Sequence, residues 1–104
     1  MADPFAEKSI IITGASSGLG AEIALEFARR GARLTLFSPE ADKQHDVADQ
    51  CHQLGAKAVA VIGDVTVADD CRRLSEECVM AHGTIDYLIA NAGISMWTSF
   101  EEVE

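Results

Sequence analysis

Four short apolar runs, each followed at a distance by a stretch of helical period, constrain this chain more than any other feature. Residues 9–13 (SIIIT), 33–37 (RLTLF), 58–62 (AVAVI) and 85–90 (IDYLIA) are too short for helices and nearly continuous in apolar side chains. Such runs are what parallel strands buried on both faces require. Between the first two, Leu19, Ile23 and Phe27 recur every four residues, with Ala24 and Ala28 on the same side. Arg29 and Arg30 suit the negative end of that helix, and Gly31 can take the left-handed conformation that closes it. Ser38 and Pro39 read as the N-cap and first position of a second helix, buried through Val47, Cys51 and Leu54 and ended by Gly55. Thr66 reads as the cap of a third, with Val67, Cys71, Leu74, Cys78 and Ala81 as its buried stripe and Gly83 as its stop.

Alternating strands and helices predict an α/β fold with a doubly wound parallel sheet, and right-handed crossovers set its strand order at 3-2-1-4. With 104 residues, one domain spanning 1–104 is expected. The composition, 48% hydrophobic and 24% charged, is that of a folding chain and not of a disordered one. Eight basic against 17 acidic residues give a formal charge of -9, which repels nucleic acid and anionic lipid. No apolar stretch reaches the ~18 residues of a membrane span and no leader pattern opens the chain, so a cytoplasmic protein without membrane partners is expected.

Cys51, Cys71 and Cys78 form neither a paired set nor a metal motif and are expected to serve packing. Cys71 and Cys78 lie ~10 Å apart along their helix at ~1.5 Å per residue, too far for a disulfide. His45, His52 and His82 are expected to be exposed or at helix ends, and no spacing supports a metal site.

In strand order 3-2-1-4 the direction of winding reverses between the first and fourth strands, and ligands bind beyond the carboxyl ends of strands at such a point. The segments leaving those strands are TGASSGLG, from Thr13 to Gly20, and NAG, from Asn91 to Gly93. Three glycines at the start of a helix bring backbone N–H groups and the positive end of the helix dipole to a ligand, which predicts an anion. A P-loop needs Lys followed by Ser or Thr after its second glycine, whereas Leu19 and Ala21 follow the glycines here, so mononucleotide hydrolysis is disfavoured. The spacing G-x-x-x-G-x-G also departs from the usual dinucleotide fingerprint.

TGASSGLG after the first strand, GDV (Gly63 to Val65) after the third and NAG after the fourth together resemble the short-chain dehydrogenase/reductase family, over essentially the whole chain. The resemblance implies a partial Rossmann-type sheet truncated after its fourth strand. It implies that Gly14, Ser16, Ser17, Gly18, Leu19 and Gly20 surround the adenosine ribose and pyrophosphate of NAD or NADP. Asp64 and Val65 would border the adenine, and Asn91, Ala92 and Gly93 would lie beneath the nicotinamide-side ribose. Thr13 would tie the first strand to the fourth. Asp64 has a lesser alternative reading as a solvated residue at the start of a helix, and Tyr87 reads as core or sheet-face packing. Trp97 and Phe100 are readable as substrate-pocket or as ordinary packing residues. The family often has a second asparagine where this chain has Ala90.

NAD-preferring members tend to carry Asp at the end of the second strand, and NADP-preferring members Arg there or a basic residue in the glycine loop. Ser38, Pro39 and Ser17 supply neither charge, and Ser38 is as well explained by capping as by cofactor contact. Only modest discrimination between NAD and NADP is expected.

Members of the family transfer hydride with a tyrosine whose pKa is lowered by a lysine four residues on. The single tyrosine here, Tyr87, is followed at that spacing by Asn91, and the lysines are Lys8, Lys43 and Lys57. No catalytic residue is therefore assigned. The resemblance implies the cofactor-binding front portion of an oxidoreductase, forming homo-oligomers and acting on a small alcohol or carbonyl substrate in its full-length parent. The alternatives are a freestanding nucleotide-binding or sensing module and an inactive truncation. Produced alone, the 104 residues are expected to show no turnover in a dehydrogenase assay with either cofactor and to associate through the fourth strand, seen as dimers or larger species by light scattering.

Overall fold

The computed structural model describes residues 3–16 and 18–91. Four parallel strands, β1 (Ser9–Thr13), β2 (Arg33–Ser38), β3 (Ala58–Ile62) and β4 (Tyr87–Ala90), form one sheet in the order β3-β2-β1-β4. Helices α1 (Gly18–Arg29), α2 (Ala41–Gln53) and α3 (Ala68–His82) fill the connections. This is the partial Rossmann-type doubly wound sheet expected from the alternation of apolar runs.

Side-chain alternation along β1 and β2 divides the core in two. Ile10, Ile12, Leu34 and Leu36 face one side and pack with Ala24 and Ala28 of α1 and Val47, Ala48 and Cys51 of α2. Ile11 and Phe37 face the other and pack with Val61 and with Leu74 and Cys78 of α3. All five residues of β1 are buried, as a central parallel strand must be. Burial pushes the Cys51 thiol up to about 11, which suits an inert packing role.

The helix faces are narrower than the periodicity predicts. The buried line of α1 is Gly20, Ala24 and Ala28, with Leu19 67% exposed. Leu54 and Val67 are exposed residues at helix ends, and Ala81 also faces solvent. Gln44, absent from the expected core, is buried in α2 and donates from Nε2 to the Val61 carbonyl at 2.9 Å. His82 does end α3, yet it is buried, with Nε2 2.9 Å from the Leu34 carbonyl.

Both expected caps are displaced. Helix α2 starts at Ala41 after Glu40, so Pro39 is outside it, and Ser38 is the last residue of β2. Helix α3 starts at Ala68 after Val67, whose carbonyl accepts the first helical bond from Cys71 at 3.1 Å, and Thr66 does not cap it. Gly31, Gly55 and Gly83 do close the three helices with φ of 82°, 90° and 84°.

Strand β4 begins at Tyr87 and not at Ile85, because Asp86 turns its side chain back to the sheet. The Ser9 N–H donates to Asp86 Oδ2 at 2.8 Å, and the Asp86 N–H donates to the Ser9 carbonyl at 2.8 Å. On the outer strand Tyr87 and Leu88 are exposed, while the N-terminal segment covers part of that region through Phe5, edge-on to both Phe27 and Tyr87. Replacing Asp86 by Ala leaves the N–H of fully buried Ser9 without its partner. The expected loss is about 1–3 kcal/mol of stability, read as a lower urea midpoint, with Asp86→Asn losing less.

Candidate functional site

The carboxyl ends of β1, β2 and β3 and the residue after β4 surround a cavity of about 400 Å³, lined by Gly14, Ser16, Phe37, Ser38, Pro39, Glu40, Gly63, Asp64, Val65 and Asn91. Six of the residues expected from the sequence, Gly14, Ser16, Ser38, Asp64, Val65 and Asn91, therefore meet at one place. Gly18, Leu19 and Gly20 form the first residues of α1 beside it. Ser17, Ala92, Gly93, Trp97 and Phe100 lie outside the described residues.

The turn from β1 into α1 depends on glycine at three positions for two different reasons. Gly14 and Gly18 have φ of 63° and 59°, in the left-handed region that costs other residues energy. A Cβ on Gly18 would meet nothing within 4 Å, whereas a Cβ on Gly20 would lie 2.0 Å from the Gly14 carbonyl oxygen and 2.7 Å from Asn91 Nδ2. Gly20 thus lets the first turn of α1 close onto the strand end, and Gly18 supplies the left-handed conformation that opens the helix. The N–H groups of that turn have no partner within a helix, so the arrangement suits an anion.

The loops are tied to one another by hydrogen bonds. The Asn91 N–H donates to Thr13 Oγ1 at 3.0 Å, joining β4 to β1 as expected of Thr13. Asn91 Nδ2 donates to the Gly14 carbonyl at 3.3 Å, and the Gly14 N–H donates to the Phe37 carbonyl at 2.9 Å. The Gly63 N–H donates to the Ser38 carbonyl at 3.1 Å, extending the connection to β3.

Asp64 closes a tight turn. Its Oδ1 accepts from the Thr66 N–H at 2.8 Å and from Thr66 Oγ1 at 2.7 Å, while its own N–H donates to Asp70 Oδ2 at 2.9 Å. The Thr66 N–H first, and its hydroxyl second, hold the Asp64 carboxyl below the usual aspartate range. Thr66 stands one residue before the N-cap Val67, with its hydroxyl turned to Asp64.

Phe37, Pro39, Gly63 and Glu40 also line the cavity without having been assigned to it from the sequence, and Glu40 is the charged one among them. The Ser38 hydroxyl accepts the Glu40 N–H at 3.0 Å, and Ser16 Oγ donates to Glu40 Oε1 at 2.8 Å. A signal existed, since Glu40 stands twenty residues after Gly20, close to the ~20-residue interval at which dinucleotide sites carry an acidic residue.

The model of the short chain dehydrogenase family matches residues 8–104. The chain belongs to the short-chain dehydrogenase family. It is 48% identical over 96 residues to the 11-beta-hydroxysteroid dehydrogenase-like 4A of Arabidopsis thaliana, covering 91% of this chain and 32% of that protein. Among solved structures it is similar to the L-sorbose reductase of Gluconobacter frateurii complexed with NADPH and L-sorbose, with 32% identity and a TM-score of 0.84 over 90% of this chain and 36% of that one. It is also similar to a 7 alpha-hydroxysteroid dehydrogenase complexed with NADH and 7-oxo glycochenodeoxycholic acid, with 36% identity and a TM-score of 0.79 over 81% and 33%. The chain spans about a third of the length of the curated relatives it matches. Among the described residues no helix is long and apolar enough to cross a membrane, and no group of His, Cys, Asp or Glu could hold a metal.

In this member of the short-chain dehydrogenase family the turn at Asp64 carries a pH signature. Its folded-state pKa is depressed, so the stability it contributes is present above the ordinary aspartate value and is lost as pH falls through the lower folded one. Carboxyl titration by NMR is expected to give Asp64 a midpoint below that of a free aspartate, and Thr66→Val, which keeps the N–H and removes the hydroxyl, to raise it part of the way back.

Proposed function

We propose that this chain holds NAD or NADP as the cofactor-binding portion of an oxidoreductase that interconverts an alcohol and a carbonyl. One observation carries the reading: the segments leaving all four strands, including the glycine loop that leads into α1, converge on a single cavity, linked by hydrogen bonds from Asn91, Gly14 and Gly63. The donor set suits a dinucleotide. The first turn of α1, opened by Gly18 and packed close by Gly20, offers backbone N–H groups to the pyrophosphate. Ser16 and Ser38 offer hydroxyls toward the adenosine ribose, Asp64 and Val65 a wall for the adenine, and Asn91 a support for the nicotinamide side. Ser17, Leu19, Ala92 and Gly93 complete the proposed set.

Bound there, the cofactor supplies or accepts a hydride. The residues of this chain bind and orient it, and no Tyr-x-x-x-Lys pair for proton transfer occurs in the 104 residues. Relatives named for hydroxysteroids and sorbose support a small alcohol or carbonyl substrate, whose reduction or oxidation needs those further groups.

Calorimetric titration with NADH and with NADPH tests the reading. Binding of at least one is expected, and Gly18→Val is expected to abolish it, because a branched residue is strained at φ 59° and places its side chain over the helix N-terminus. Helix content by circular dichroism should change little. Undiminished binding by the variant would remove the glycine loop from the site.

A further inference from the structure

Strand β3 is an outer strand of the sheet, and side chains from two different helices occupy its outward edge. The Leu34 N–H donates to the Lys57 carbonyl and the Gly63 N–H to the Ser38 carbonyl, so Lys57, Val59, Val61 and Gly63 turn their backbone groups toward β2. By the alternation of a parallel ladder, Ala58, Ala60 and Ile62 turn theirs outward. His52 Nε2, from the last turn of α2, donates to the Ala58 carbonyl at 2.8 Å. Arg73 Nη2, from α3, donates to the Ile62 carbonyl at 2.7 Å. Each donor takes the position that an N–H of a further strand would need. Arg73 is itself steadied by Glu77 Oε2 at 3.2 Å and Asp70 Oδ1 at 3.4 Å.

The edge between these two side chains is one that invites pairing. Ala60 keeps an outward N–H and carbonyl with no partner among the described residues. Beside it Val59, Glu77, Met80 and Ala81 line a second cavity of about 290 Å³, and Met80 is 85% exposed. A strand edge flanked by apolar surface is a template for another chain. With Ala58 and Ile62 occupied, a newcomer has only the two groups of Ala60 to bond, and one bonded residue does not offset the entropy of ordering a strand. Among the described residues no side chain donates to a carbonyl of β4, the other outer strand.

We propose that His52 and Arg73 close the β3 edge against a second copy of this chain. Without them, two copies can pair β3 with β3, antiparallel and centred on Ala60, as a two-fold arrangement requires. The two side chains hold this edge shut from either end, one from each face-covering helix.

Sedimentation velocity and amide exchange on the chain and its variants test the proposal. The double variant His52→Ala, Arg73→Ala is expected to form species about twofold larger than the unaltered chain does at the same concentration. Its Ala60 amide, unprotected in the unaltered chain, is expected to exchange about tenfold more slowly. His52→Gln with Arg73→Lys, which keeps a donor at each place, should restore the original size. Adding Ala60→Pro to the double variant deletes the outward N–H, leaves the ladder to β2 intact and should restore it too. Circular dichroism and the urea midpoint separate loss of edge control from loss of folding. Unchanged size with unchanged Ala60 exchange in the double variant would overturn the proposal. Larger species whose Ala60 amide stays fast would overturn it as well, since those form through another surface or through unfolded chain.

Discussion

The structure turns on a contact that only a missing side chain allows. The Gly14 carbonyl oxygen stands 2.0 Å from where a Cβ of residue 20 would be, and Asn91 Nδ2, 2.7 Å from that same position, donates to this carbonyl. That approach brings the positive end of α1 against the carboxyl end of the central strand. Once it is made, the end of β4 is anchored through Asn91 and the end of β2 through the bond between Gly14 and the Phe37 carbonyl. The cavity is what remains between these anchored ends.

Around that cavity charge is distributed unevenly. The turn into α1 carries the positive end of the helix dipole, whereas the wall formed after β2 and β3 carries Glu40 and Asp64. Each carboxylate is kept ionised by neutral donors close to it, Ser16 for Glu40 and Thr66 for Asp64, with Lys43 assisting only the first. Backbone dipoles and carboxylates thus share one cleft without neutralising each other, since they act on different parts of it.

Much of the fold could be read from the chain. The ranges of β1 and β3 are those of the apolar runs, β2 is longer by Ser38 alone, and Gly31, Gly55 and Gly83 end their helices with the expected positive φ. Six proposed site residues line the cavity, since motif and strand end coincide at each. What could not be read was the use made of short polar side chains. Ser38, Thr66 and Asp86 each have several local hydrogen-bonding options, as caps, turn formers or strand partners, that sequence spacing does not rank. Ser38 takes the Glu40 N–H, Thr66 gives itself to Asp64, and Asp86 accepts from Ser9, seventy-seven positions away in sequence.

By itself the sequence determined the elements, their order across the sheet and the glycine-lined end of β1, because each follows from local periodicity, from steric limits on φ and from the handedness of crossovers. Only the tertiary structure decided which glycine is conformational and which is steric, which helical positions reach the sheet, and where the carboxylate of Glu40 points. Those depend on distances between segments far apart in the chain, such as Gly20 to Asn91 and Ser16 to Glu40. A side chain's partner across such a gap is set by the packing of the whole sheet, which no local pattern encodes.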